Sequence, residues 1–219
     1  MIKVMPLGDS ITAGVEFIND KRTCENGGYR TYLWRKARVD GLGIDFVGSQ
    51  CDGPADIAKG HEGHLGWKTS QLIKNVERWL REYSPHISLL MTGTNDLISD
   101  QDADIAVQRL DDLMGRMFRI QPELYLAVAS VPPLKWSISR GHMEPLVISY
   151  NSGISNLVET YAAKGKVVRF VDVYGAMEED HLLGTHPSLP GYEKIAEIWY
   201  PVLKSLYYSA LQNGSRRKK

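Results

Sequence analysis

The 219-residue chain has only two cysteines, Cys24 and Cys51. Two cannot define a disulfide framework, so one bridge and two separate thiols both stay open. Net charge is absent as well, since 26 basic side chains meet 26 acidic ones. That removes the bulk attraction that draws proteins to nucleic acid or to anionic membranes. No apolar run approaches the ~20 residues that span a bilayer. The opening Met1-Ile2-Lys3-Val4-Met5-Pro6-Leu7 is too short and too interrupted for the core of a signal peptide, and reads as a first buried strand. The expectation is therefore a cytoplasmic protein, or a secreted one whose leader is absent from this chain. Internal repeats and low-complexity linkers are missing too.

What is present is ordinary globular composition, 43% hydrophobic, and a length that suits one core better than two. Residues 1–212 read as one domain, and 213–219, ending Arg216-Arg217-Lys218-Lys219, as a basic, flexible tail. Ile2–Leu7, Ile44–Gly48, Ile87–Thr92, Leu124–Val131 and Val167–Val173 are short β-branched or aliphatic runs, the pattern of strands buried on both faces. Pro6 belongs near the end of its strand, because proline cannot donate to a ladder.

Between these runs lie helical stripes: Leu72, Ile73, Val76, Trp79 and Leu80; Leu110, Leu113, Met114, Met117 and Phe118; Leu146, Val147, Tyr150, Ile154, Leu157, Val158 and Tyr161; and Ile195, Trp199, Val202, Leu203, Leu206 and Leu211. They read as core packing, as do Trp34, Trp79 and Trp199. Strand–helix alternation predicts an α/β fold, a three-layer α/β/α sandwich around a central five-stranded parallel sheet. Loops after the strands then share one edge, where ligands bind.

Four motifs fall in such loops or before the last helix. Gly8-Asp9-Ser10-Ile11-Thr12 follows the first strand, where a serine at a strand-to-helix turn can present its hydroxyl; an N-cap is the structural alternative. His61-Glu62-Gly63-His64-Leu65-Gly66-Trp67 follows the second, and Gly66 could offer an N–H to an oxyanion. Its two histidines do not have the i, i+4 spacing of helical zinc sites, so no metal is expected. Gly93-Thr94-Asn95-Asp96 follows the third, with an amide suited to developing negative charge. His186-Pro187-Ser188-Leu189-Pro190-Gly191-Tyr192 leads into the last helix, with Ser188 as its N-cap.

In this order the motifs resemble the SGNH, or GDSL, hydrolase superfamily, over Met5 to about Ala196. Its blocks are Gly-Asp-Ser, a glycine after the second strand, Gly-x-Asn-Asp after the third, and Asp-x-x-His-Pro near the C-terminus. The resemblance implies a flavodoxin-like α/β/α fold, Ser10 as nucleophile, His186 as base, and an oxyanion hole of Ser10, Gly66 and Asn95, with no cofactor. Met5-Pro6-Leu7-Gly8-Asp9-Ser10, Gly28-Tyr29-Arg30, Asp45-Phe46-Val47-Gly48-Ser49, His61-Glu62-Gly63-His64 and Gly66-Trp67 look like the acetyl-xylan-esterase branch of the carbohydrate esterases. That implies a small or oligosaccharide acetyl ester as substrate, with Trp67 and Trp136 as sugar-facing walls. A lipolytic or biosynthetic esterase, thioesterase or lactonase of the same superfamily is the alternative. A nucleotide-binding domain is disfavoured, because neither Gly-x-Gly-x-x-Gly nor a Walker pattern follows the first strand.

One position departs from the family. Where its triad acid stands three residues before the histidine, this chain has Leu183. A backbone carbonyl near Leu183 or Gly184 orienting His186 is the favoured expectation, a Ser–His dyad. A substitute acid among Asp172, Glu178, Glu179 and Asp180, or a catalytically impaired binding protein, are the others.

Overall fold

The five apolar runs pair as parallel strands, and the rest of the chain covers them. The computed structural model describes residues 1–18, 21–134 and 143–216, so Trp136 lies outside the described residues. The elements in chain order are β1 (Ile2–Gly8), α1 (Ser10–Ala13), β2 (Glu16–Ile18), β3 (Lys21–Thr23), α2 (Tyr29–Val39), β4 (Ile44–Phe46), β5 (Glu62–Gly63) and α3 (Thr69–Tyr83). After these come β6 (Ile87–Met91), α4 (Thr94–Asp100), α5 (Ala103–Ile120), β7 (Tyr125–Ala129), α6 (Met143–Ala163), β8 (Val168–Val171), β9 (Leu182–Leu183), β10 (His186–Pro187) and α7 (Leu189–Arg216).

The main sheet runs β4-β1-β6-β7-β8, all parallel, as the alternation predicts. The two-residue β5 adds to it beside the end of β1, pairing Leu7 with Glu62 and Gly8 with Gly63. Every residue of β6 and β7 is buried. Side chains of β1 alternate between two cores. Met5 and Leu7 pack with α3, α5 and α6 on one face, through Leu72, Trp79, Leu110, Met114 and Tyr150. Ile2 and Val4 pack with α2 and α7 on the other, through Tyr29, Leu33, Trp199 and Leu203. The predicted stripes form these cores, except that Leu211, at the far end of α7, is exposed. No described helix is long and apolar enough to cross a membrane. Cys24 and Cys51 are not joined in a disulfide.

Pro6 sits inside β1, yet breaks no ladder bond. Val4 O accepts from Val47 N, and Gly8 O accepts from His64 N, so every second residue of β1 faces the β4–β5 side. Pro6 shares that parity. It faces the gap where β4 has ended and β5 has not begun, and its missing donor has no partner to disappoint.

Candidate active site

The C-terminal ends of β1, β5 and β6 lie side by side and carry three of the four motifs. After β1, Asp9 caps α1, its Oδ1 accepting from Ile11 N at 2.9 Å. Burial pushes the Asp9 carboxyl up to about 7, against the lowering effect of the Ile11 N–H, and nearby Asp96 adds to the rise. Ser10 opens the helix, its surface only 7% exposed. Glycine is required at position 8, since a Cβ there would overlap the Met91 carbonyl of β6 and the Thr12 hydroxyl.

Arg30 holds the other end of α1. Although fully buried, its guanidinium donates to Thr12 O (2.8 Å), Ala13 O (3.0 Å), Asp52 O (3.1 Å) and Lys59 O (3.3 Å). Burial lowers its pKa to about 10, still cationic at neutral pH. The cation faces the carbonyl end of α1 and ties that helix to the 52–59 loop. Gly28-Tyr29-Arg30 enters the sequence reading only as part of a resemblance; its physical role is this clamp.

The histidine arrives on a hairpin. β9 and β10 pair antiparallel, joined by Gly184-Thr185, with Gly184 at φ +67° in the manner of a type II′ turn. His186 Nε2 lies 2.9 Å from Ser10 Oγ, across 176 positions of sequence. Its Nδ1 lies 3.2 Å from Thr185 Oγ1. The hydroxyl of the preceding residue thus stands near the nitrogen for which a backbone carbonyl is expected. Leu183 is paired directly opposite His186, which puts both side chains on one face of the hairpin, and it is 61% exposed. Of the substitute acids considered, Asp172 accepts from Gly175 N (2.9 Å) and Ser130 Oγ (3.3 Å), and Glu178 closes a capping box with His181. Ser188 caps α7 as expected, accepting from Gly191 N.

The third cluster is a tight turn. Trp67 N donates to His64 O at 3.2 Å, and Gly66, third in the turn, has φ +75°. That is a type II turn, in which the third position favours glycine and its N–H stays outside the turn's own hydrogen bond. Asn95, at the start of α4, donates one amide hydrogen to Trp67 O at 2.9 Å and has a second to offer. Gly93 precedes it at φ +116°, pressed against Tyr150, whose hydroxyl donates to Thr92 O. Its neighbour Asp96 is structural, accepting from Thr69 N, Thr69 Oγ1 and Arg109. Trp67 is partly buried and stacks on His64, centroids 4.1 Å apart, so His64 lies against one of its faces. His61 is buried, its Nδ1 accepting from Gly63 N, and burial drives its pKa down to about 2. No group of three or more His, Cys, Asp or Glu side chains is arranged to hold a metal among the described residues.

Residues 4–199 match the model of the GDSL-like lipase/acylhydrolase family. The chain belongs to this family. The curated relatives of this GDSL protein include a multidomain esterase and a putative endoglucanase. It is 28% identical over 224 residues to a multidomain esterase of Ruminococcus flavefaciens, covering 90% of this chain but only 28% of that one. A family 3 carbohydrate esterase of Clostridium thermocellum superposes with a TM-score of 0.78 at 34% identity, covering 95% of this chain and 98% of the other. A serine-to-alanine variant of an acetyl esterase, solved with acetate ion, superposes with a TM-score of 0.80 at 26% identity over 95% and 99% of the two chains. The GDSL protein described here thus has carbohydrate and acetyl esterases among its structural neighbours.

Proposed function

We propose that the protein removes acetyl groups from carbohydrate hydroxyls through an acyl-enzyme on Ser10. The observation that carries this reading is the 2.9 Å contact between Ser10 Oγ and His186 Nε2. In the proposed mechanism Nε2 takes the hydroxyl proton as Oγ attacks the acyl carbonyl. Negative charge on the carbonyl oxygen would meet the N–H groups of Ser10 and Gly66 and the Asn95 amide. The tetrahedral adduct collapses, His186 returns the proton to the leaving sugar oxygen, and a water activated by the same Nε2 then releases acetate. For Nε2 to accept, Nδ1 must carry the ring proton, and Thr185 Oγ1 at 3.2 Å is placed to accept it. A neutral hydroxyl fixes the tautomer but lends the imidazolium less stabilisation than a carboxylate would.

The carbohydrate part rests on the neighbours and on a cleft. A cavity of about 420 Å³ opens beside the hairpin, lined by Pro133, Leu134, Val147, Tyr174, Met177 and Leu182, with Glu144, Glu178 and Glu179 also in its wall. Among the described residues that line it none is cationic, which suits a neutral polyhydroxyl group better than an anionic one. Fluorophosphonate labelling with peptide mapping tests the nucleophile. The label is expected on Ser10, and a label elsewhere would sink the assignment. Aryl esters test the acyl group: turnover should fall from acetate through butyrate to octanoate, and a rise along that series would favour a lipolytic enzyme instead.

A further inference from the structure

Two of the three oxyanion donors proposed above depend on one turn, His64–Trp67. It carries the Gly66 N–H, and its Trp67 carbonyl anchors the Asn95 amide at 2.9 Å. A buried pair stands behind that turn. Glu62 is fully buried and accepts from Ser49 N at 2.6 Å and Ser49 Oγ at 2.9 Å. Its Oε2 lies 2.8 Å from His64 Nε2, close enough for a ring N–H there to donate to the carboxyl group. The imidazole so oriented stacks on Trp67 at 4.1 Å and on the buried Trp79 of α3 at 4.9 Å, tilted from them by 17° and 10°. His64 N also donates to Gly8 O at 3.0 Å, two residues before Ser10.

We infer that Glu62 and His64 are a positioning pair for oxyanion stabilisation. Glu62 fixes the plane of the His64 ring, the ring fixes Trp67, and the Trp67 carbonyl holds the Asn95 amide while the turn aims Gly66 N–H. Neither residue of the pair is assigned a contact with the substrate. Stability alone does not call for such an arrangement, because apolar side chains of similar volume replace buried ion pairs at little or no cost. What they would not supply is direction. A donor misplaced by a fraction of an ångström matters only when the oxygen becomes an anion, so the pair should act on the transition state and hardly on the ester.

The inference rests on the catalytic reading given above, and the experiment separates the two. His64→Phe keeps a flat ring for both tryptophans and removes the donor to Glu62; Glu62→Gln keeps the volume and removes the charge. Active sites are counted by complete fluorophosphonate titration, so that misfolded molecules drop out. Per labelled site, kcat on an aryl acetate should fall at least 10-fold while KM moves less than 3-fold. The loss should stay below the ~10²–10³ of deleting a donor outright. Inhibition by a small boronic acid reports the same geometry. Ser10 Oγ adds to boron, its proton passes to His186, and the tetrahedral adduct places an oxygen in the hole. Its Ki should rise by the factor lost in kcat. Because part of the effect runs through Asn95, His64→Phe should cost less when Asn95→Ala is already present.

Native kcat per site and native boronate affinity in a folded His64→Phe would overturn the inference, whether or not Glu62→Gln folds. If the native protein takes no label on Ser10, the catalytic reading itself falls. Labelled, active native protein with indifferent variants leaves that reading standing and removes this one.

Discussion

On the proposed mechanism, the place that an acid holds elsewhere in this family is taken here by Leu183, and the neighbour of the imidazole is Thr185. Thr185 stands at His186 Nδ1, and Leu183 stands across the hairpin on the same face. Thr185→Val should lower kcat about 10- to 100-fold, whereas Thr185→Ser, which keeps the acceptor, should stay within a few-fold. Leu183→Asp places a carboxylate directly opposite the imidazole, where it would stabilise the cation that forms during turnover. In the native background the gain should be modest, since Nδ1 already has an acceptor and the new charge brings its own desolvation cost. In the Thr185→Val background the same substitution should restore most of the loss. In both, the acid limb of the kcat/KM profile should move to higher pH, because a neighbouring anion favours imidazolium. An unmoved limb in Leu183→Asp would mean that the opposed-pair geometry is not the one that operates. For scale, turning the acid of a serine-protease triad into its amide costs ~10⁴.

At the scale of elements, the nucleophile helix depends on a residue from another helix. Arg30→Met would leave the carbonyls of Thr12, Ala13, Asp52 and Lys59 without their donor while keeping the stem's bulk. A loss of about 3–5 kcal/mol in urea unfolding is expected, because several buried carbonyls are left unsatisfied at about 1–3 kcal/mol each, with kcat falling as α1 loosens. A loss under about 1 kcal/mol would show that water replaces the clamp. The sequence reading missed α2 for the reason that makes it interesting. Its buried face carries Arg30 and Thr31 among Tyr29, Leu33 and Ala37, so no apolar stripe marks it.

The central strands β6 and β7 were legible because each is buried on both faces, and α3, α5 and most of α7 because their stripes are clean. β5 was not, since two residues beside a glycine carry no period; only the end of β1 makes them a strand. Ser10, Gly66, Asn95 and His186 could be named as candidates from motif order, and the structure brings Ser10 and His186 to 2.9 Å. Thr185 could not, because one hydroxyl beside a histidine signals nothing until the hairpin turn brings it to Nδ1. Nor could Arg30, whose guanidinium meets only backbone oxygens that any sequence would provide.

For the whole molecule, two buried groups set opposing trends with pH. Asp9 has its folded pKa raised from 3.8 to about 7, so the folded state holds a proton that the unfolded chain releases, and stability falls as pH rises from about 4 to 7. His61 has its folded pKa lowered from 6.5 to about 2, so the unfolded chain takes a proton that the folded one refuses, and stability rises over about pH 2 to 6.5. Between pH 4 and 6.5 the two largely cancel. Asn caps a helix as well as Asp does, so Asp9→Asn removes one trend and leaves the other. Relative to the native protein the variant should gain stability from pH 4.5 to 7.5, by at most about 4 kcal/mol at 1.36 kcal/mol for each pKa unit. Denaturation midpoints at those two pH values check it, and a pH-independent difference would show that Asp9 stays ionised throughout.

The distance of 176 positions between Ser10 and His186 also has a consequence in time. A ribosome adds about 5–20 residues per second, so the nucleophile is made roughly 9–35 s before the base that activates it. For about the latter half of that interval the growing chain can already hold β1, β5 and β6 with their turn, yet on the proposed mechanism it lacks the means to form an acyl-enzyme. On the proposed mechanism, ester hydrolysis would switch on only when the β9–β10 hairpin and α7 emerge and dock, which would make turnover a report that translation has reached its last elements.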